Sequence, residues 1–93
     1  MACGLTTDEV ESIVVAVYRS QLDDPTITRF SRFGVGVEID IDTFARRGFF
    51  FTIKQAVDRP PDCIITRLTP DAVQSAKTVS EIVDAINKEF AGN

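Results

Sequence analysis

The sequence predicts an all-α fold: a bundle of four helices with a long connection between the first and the second. Three observations carry this. Apolar residues near each end of the 93-residue chain follow a 3.6-residue period. Residues 43–57 also fit that period, and Thr69-Pro70-Asp71 has the form of a helix start. An α+β alternative stands beside it: a helix, a three-stranded meander over 34–42, 48–56 and 62–68, then a helix. Local pattern barely separates the two. Either way the chain forms one domain over residues 1–93, long enough to fold alone with a modest core.

The first helix begins after Thr6, which with Glu9 fits a capping box. Val10, Ile13, Val14, Val17 and Leu22 share one face of it, and Asp23-Asp24-Pro25 ends it. A long connection follows, with Gly34 and Gly36 as flexible points and Ile27, Phe30 and Phe33 as anchors on the core. Gly34-Val35-Gly36 lacks a full dinucleotide fingerprint and reads as loop. From Val35 to Asp42 apolar and polar residues alternate, which alone signals a strand.

Residues 43–57 read as a helix capped by Asp42, with Phe44, Arg47, Phe50, Ile53 and Val57 on one face. Phe49-Phe50-Phe51-Thr52-Ile53 equally suits a buried strand, and Gly48 costs a helix about 1 kcal/mol relative to Ala. The three phenylalanines read as core, although a helix cannot point three successive side chains inward. Residues 58–62 form a loop. Thr69 then caps a short helix with Pro70 at its first position, ending near Ala76. Thr78 and Glu81 suggest a second capping box. Val79, Ile82, Val83, Ile86 and Phe90 complete the clearest amphipathic helix, which ends at Ala91-Gly92-Asn93.

Composition excludes several functions. The chain has no His, so Ser–His–Asp catalysis, Cys–His catalysis and His-ligated metals are ruled out. Cys3 and Cys63 form no CxxC pair and cannot make a zinc site without other ligands; they read as reduced thiols, with a disulfide as the alternative, and Cys63 as a small buried apolar residue. A net charge of −4 argues against duplex DNA. No apolar run is long enough to span a membrane, and the first eleven residues lack the basic and apolar regions of a signal peptide, so a cytoplasmic protein is expected. Charge is uneven: Arg46, Arg47, Lys54, Arg59 and Arg67 make residues 43–69 a basic island in an acidic chain. Glu38, Asp40 and Asp42 share one side of an extended segment, which suits a solvated face better than a calcium loop.

The C-terminal third, from Leu68-Thr69-Pro70-Asp71 through Thr78-Val79-Ser80-Glu81-Ile82-Val83 to Ile86, resembles the end of an acyl carrier protein. There a Pro-acid segment opens a short third helix and a Thr-Val step opens the fourth. The Val/Ile face of the first helix is similar to the same family. Asp42-Thr43-Phe44 stands where the family has Asp-Ser-Leu, and Phe49, Phe50, Ile53 and Val57 match apolar positions of its second helix. The resemblance covers about residues 6–90 and favours the four-helix reading. Three departures accompany it: Thr43 replaces Ser, the second helix is basic, and the loop from Asp58 to Thr69 is longer than expected.

The resemblance implies a non-enzymatic carrier, specialised within lipid or secondary-metabolite biosynthesis. It would hold an acyl or aminoacyl thioester on 4′-phosphopantetheine, attached at Thr43 beside Asp42. Phe44, Arg46, Arg47, Phe50 and Ile53 become candidates for partner recognition or an acyl pocket. The implied partners are a phosphopantetheinyl transferase and acyl-transferring or synthase enzymes with an acidic docking surface; no nucleic acid or membrane is implied, and a monomer is expected. Two rivals stand: a carrier-fold binding or regulatory module that has lost modification, and an unrelated helix–meander–helix interaction domain. For Asp42-Thr43 simple helix capping, and for Arg46-Arg47 a solvated pair, are the plain alternatives.

Overall fold

A computed structural model of the chain describes residues 4–61 and 63–91. Helix α1 is Thr7–Leu22, α2 is Thr43–Val57, α3 is Pro70–Ser75 and α4 is Val79–Ala91. There is no strand among the described residues, which removes the meander; only isolated β-bridges occur.

Helix α1 starts on the expected reciprocal cap. The Thr6 amide donates to Glu9 Oε1 at 2.9 Å, and the Glu9 amide donates to Thr6 Oγ1 at 3.1 Å. It ends where Asp23 turns left-handed, φ 51°, a conformation that a short polar side chain tolerates. The connection to α2 is held at several points. Arg19 Nε donates to the Ile27 carbonyl at 2.7 Å, and Ile27 and Ile39 are buried.

The alternating stretch 35–42 does not become a strand because, among the described residues, only Ile39 within it finds a bridge partner. Gly36 takes φ 75° and turns the chain, its amide donating to Asp40 Oδ2 at 3.0 Å. Phe33 and Ile39 are then joined only by a bridge, and Val35 points into solvent. Phe30, expected as an anchor, is also exposed, while Phe33 packs against the core.

Helix α2 begins on Asp42, whose Oδ1 accepts from the Ala45 amide at 2.7 Å. Its inner face is Phe49, Phe50, Ile53 and Val57. That corrects two expectations: Phe44 and Phe51 lie on the outer face. Residues spaced at 3.6 from Ile53 place 49, 50 and 57 inward and turn 44 and 51 away. Helix α3 starts as expected, with Thr69 Oγ1 accepting from the Ala72 amide at 3.1 Å and Pro70 in its first turn. The capping box at Thr78 does not form. The Glu81 carboxylate accepts instead from the Lys77 amide, and the Glu81 amide donates to the Thr78 carbonyl. The end expected at Gly92-Asn93 lies outside the described residues.

Helix α1 packs on α2 and α4, and α2 packs on α3. One apolar cluster joins all four, with Val14, Ile53, Val57, Val73, Val79, Val83 and Ile86 fully enclosed. Tyr18 fills its centre, stacked on Phe49 at 4.5 Å and edge-on to Phe33 at 5.4 Å. Cys63 is buried as expected but is disulfide-bonded, which corrects the reduced thiol; Cys3 lies outside the described residues. Disulfides persist mainly in oxidising surroundings, so the thiols no longer support a cytoplasmic location. No described helix is long and apolar enough to cross a membrane.

Candidate functional site at the start of α2

Asp42, Thr43 and Phe44 form the exposed entrance to α2. The Asp42 side chain is occupied as the cap, and its carbonyl accepts from the Arg46 amide at 3.0 Å. Thr43 is the first residue of the helix. It is exposed, and its hydroxyl makes no hydrogen bond among the described residues. The local sequence therefore leaves a free hydroxyl at a helix N-terminus, where backbone amides and the helix dipole favour a negative group. Phe44 projects beside it, 85% exposed.

The other expected residues do not gather around Thr43. Phe50 and Ile53 face the core. The two arginines are turned onto the fold. Arg46 Nη2 donates to the Ala76 carbonyl at 2.8 Å, and its guanidinium lies 5.2 Å from the Phe33 ring centre. Arg47 pairs with Asp71 of α3. Lys54 is tied to Asp58 at 2.6 Å and to the Ile65 carbonyl at 3.0 Å. The basic island of the sequence thus works largely as internal bracing. Glu38, Asp40 and Asp42 do not converge either: Glu38 pairs with Arg32, Asp40 accepts from Gly36, and Asp42 caps α2. The hydrogen bonds from Arg32 hold the Glu38 carboxyl down at about 2.

Two polar groups are placed in ways that sequence reasoning missed. The Tyr18 hydroxyl is buried without a hydrogen-bond partner. Burial pushes its pKa up, and the nearby charge of Arg46 opposes that rise. Glu89 on α4 is 5% exposed. Its Oε1 accepts from the Thr66 amide, from the Thr66 hydroxyl at 3.1 Å and from the Arg67 amide at 3.0 Å; its Oε2 accepts from the Leu68 amide at 3.1 Å. Burial is the largest single influence on this carboxyl and raises its pKa, yet the hydrogen bonds together bring it below the ordinary carboxylate value. The signal was present: Glu89 follows Ile86 by three residues, on the apolar face of the clearest helix.

Neither a family model, nor a curated protein, nor a solved structure matches this chain.

Proposed function

We propose that the chain is a specialised acyl or aminoacyl carrier with Thr43 as the attachment point for 4′-phosphopantetheine. The observation behind this reading is the unbonded, exposed Thr43 hydroxyl in the first turn of α2, directly after the Asp42 cap. The helix order, with a long connection before α2 and a short α3, fits the same reading. In the attachment step the Thr43 oxygen attacks the phosphorus bearing the pantetheine of coenzyme A. A new phosphodiester forms, adenosine 3′,5′-bisphosphate leaves, and the hydroxyl proton passes to a base of the transferase. The chain's own part is to present the oxygen and to keep Asp42 turned onto the backbone. The arm's thiol would then carry the acyl thioester to partner enzymes, with Phe44 the contact nearest the attachment point.

A second reading, a carrier-fold binding module without the arm, is favoured by the threonine itself. A secondary hydroxyl with a branching methyl restricts the side chain and disturbs attack geometry in a transferase site shaped for Ser.

Intact mass after incubation with coenzyme A and a broad-specificity phosphopantetheinyl transferase tests both, with Thr43→Ala and Thr43→Ser in parallel. A phosphopantetheine-sized gain in the wild-type chain, lost in Thr43→Ala, is the expected result. A gain in Thr43→Ser alone favours the binding module. No gain in any of the three overturns the attachment site.

A further inference from the structure

Helix α3 leans on α2, and the small side chains of Ala72, Ala76 and Ala85 leave a groove open between α3 and α4. It consists of two adjoining hollows, of about 390 Å³ and about 160 Å³, that share Leu68, Ala72 and Ala85. The smaller runs inward to Ala76 and Ile82, with Glu81 at its edge. The larger has both Arg67 and Lys88, which are exposed, on its lining. Its size lies in the range of small-molecule sites.

Charge defines what would fit. Arg67 and Lys88 are exposed, and neither side chain meets a carboxylate among the described residues. The other cations of the basic island are tied to carboxylates or backbone carbonyls, so within that island Arg67 alone is untied among the described residues, and Lys88 of α4 lines the same hollow. Glu89 also borders the larger hollow, but both its oxygens accept hydrogen bonds from residues 66–68. It therefore fixes the backbone that carries Arg67. The result is an apolar channel with two uncommitted cations on its lining.

We propose that this groove binds an unbranched aliphatic carboxylate non-covalently, its tail along Leu68, Ala72, Ala85 and Ile82 and its head between Arg67 and Lys88. The assignment is independent of Thr43. A tail lying on apolar side chains gains about fourfold in affinity for each methylene it buries. The two cations select an anionic head over a neutral one.

Titration calorimetry on the full chain tests this, with hexanoate, octanoate, decanoate, decanol and decyl phosphate, each below its micelle concentration. Affinity is expected to rise about fourfold per methylene until the groove is full, and decanol to bind at least tenfold more weakly than decanoate. Arg67→Ala and Lys88→Ala should each weaken decanoate severalfold without moving the melting temperature, since both side chains are exposed. Ala72→Phe should block the groove while the helical circular dichroism spectrum is kept. Thr43→Ala should bind decanoate as the wild-type chain does, whatever the outcome of the attachment experiment. Equal binding of decanol and decanoate, indifference to both cation substitutions, or no binding of decanoate would overturn the proposal. Decyl phosphate binding more than tenfold tighter than decanoate would reassign the site to a phosphate head and also overturn it.

Discussion

Phe44 and Phe50 sit on the same helix, one 85% exposed and the other 8%. The two should answer mutation in opposite ways. Phe50→Ala removes a core ring and is expected to cost about 3–5 kcal/mol, a large share of the roughly 5–14 kcal/mol a domain of this length possesses. Phe44→Ala should leave unfolding within about 0.5 kcal/mol of wild type. Urea denaturation followed at 222 nm separates them, and a large loss at Phe44 would contradict the outward placement. Gly48, between Phe44 and Phe51 in sequence, offers a third test. A methyl group added there meets nothing within 4 Å. Gly48→Ala should therefore stabilise the chain by about 0.5–1 kcal/mol, through helix propensity and a less flexible unfolded state. A lower melting temperature in this variant would mean that the backbone at 48 is not ordinary helix.

At the scale of elements, the bracing of α2 is the main departure from what the sequence suggested. Arg46 joins α2 to the end of α3 through the Ala76 carbonyl and covers the Phe33 ring of the preceding loop. Arg46→Ala should cost about 1–3 kcal/mol, because a half-buried carbonyl loses a charged donor. Arg46→Lys should recover part of that, since an ammonium offers a donor without the planar fork. Equal stability of all three proteins in urea would show that the tie contributes nothing.

The same region shows which features were legible in the sequence. Helices α1 and α3 were readable because caps and apolar spacing act locally, and α4 from its apolar spacing alone; Thr6 with Glu9, Asp42, and Thr69 with Pro70 all start helices as their residue types suggest, but residues 43–57 fitted a buried strand as well as a helix. The alternation over 35–42 misleads because a strand requires a partner, and a partner is a tertiary fact. The outward turn of Phe44 follows from the helical period once Ile53 is taken as the inner face, since nine residues at about 100° each place Phe44 opposite it; grouping Phe44 with Ile53 on one face overlooked this. The exposed Thr43 was placed correctly at a helix start, whereas the internal pairing of Arg46 and Arg47 depends on where α3 packs.

Across the whole molecule, the loop that follows α2 and leads into α3 is secured chiefly from α4. The buried Glu89 carboxylate collects the amides of residues 66, 67 and 68, so α4, the loop and the start of α3 share one hydrogen-bonded knot. Such a knot makes stability depend on pH. Its carboxyl is held below the usual 4.5, so between the folded and the ordinary value the unfolded chain binds a proton that the folded chain does not. The contribution is full above about 4.5 and is lost as pH falls through the lower, folded value. Glu89→Gln keeps the shape but replaces one acceptor oxygen by an amide nitrogen, leaving backbone donors of residues 66–68 unmatched, a loss of about 1–3 kcal/mol near neutral pH. The variant should therefore melt lower than wild type at pH 7, and the gap should narrow as pH is taken down towards 3. Thermal melts at pH 7, 5, 4 and 3 measure this directly. A gap that stays constant, or widens in acid, would show that Glu89 stabilises the chain through packing and not through its charge.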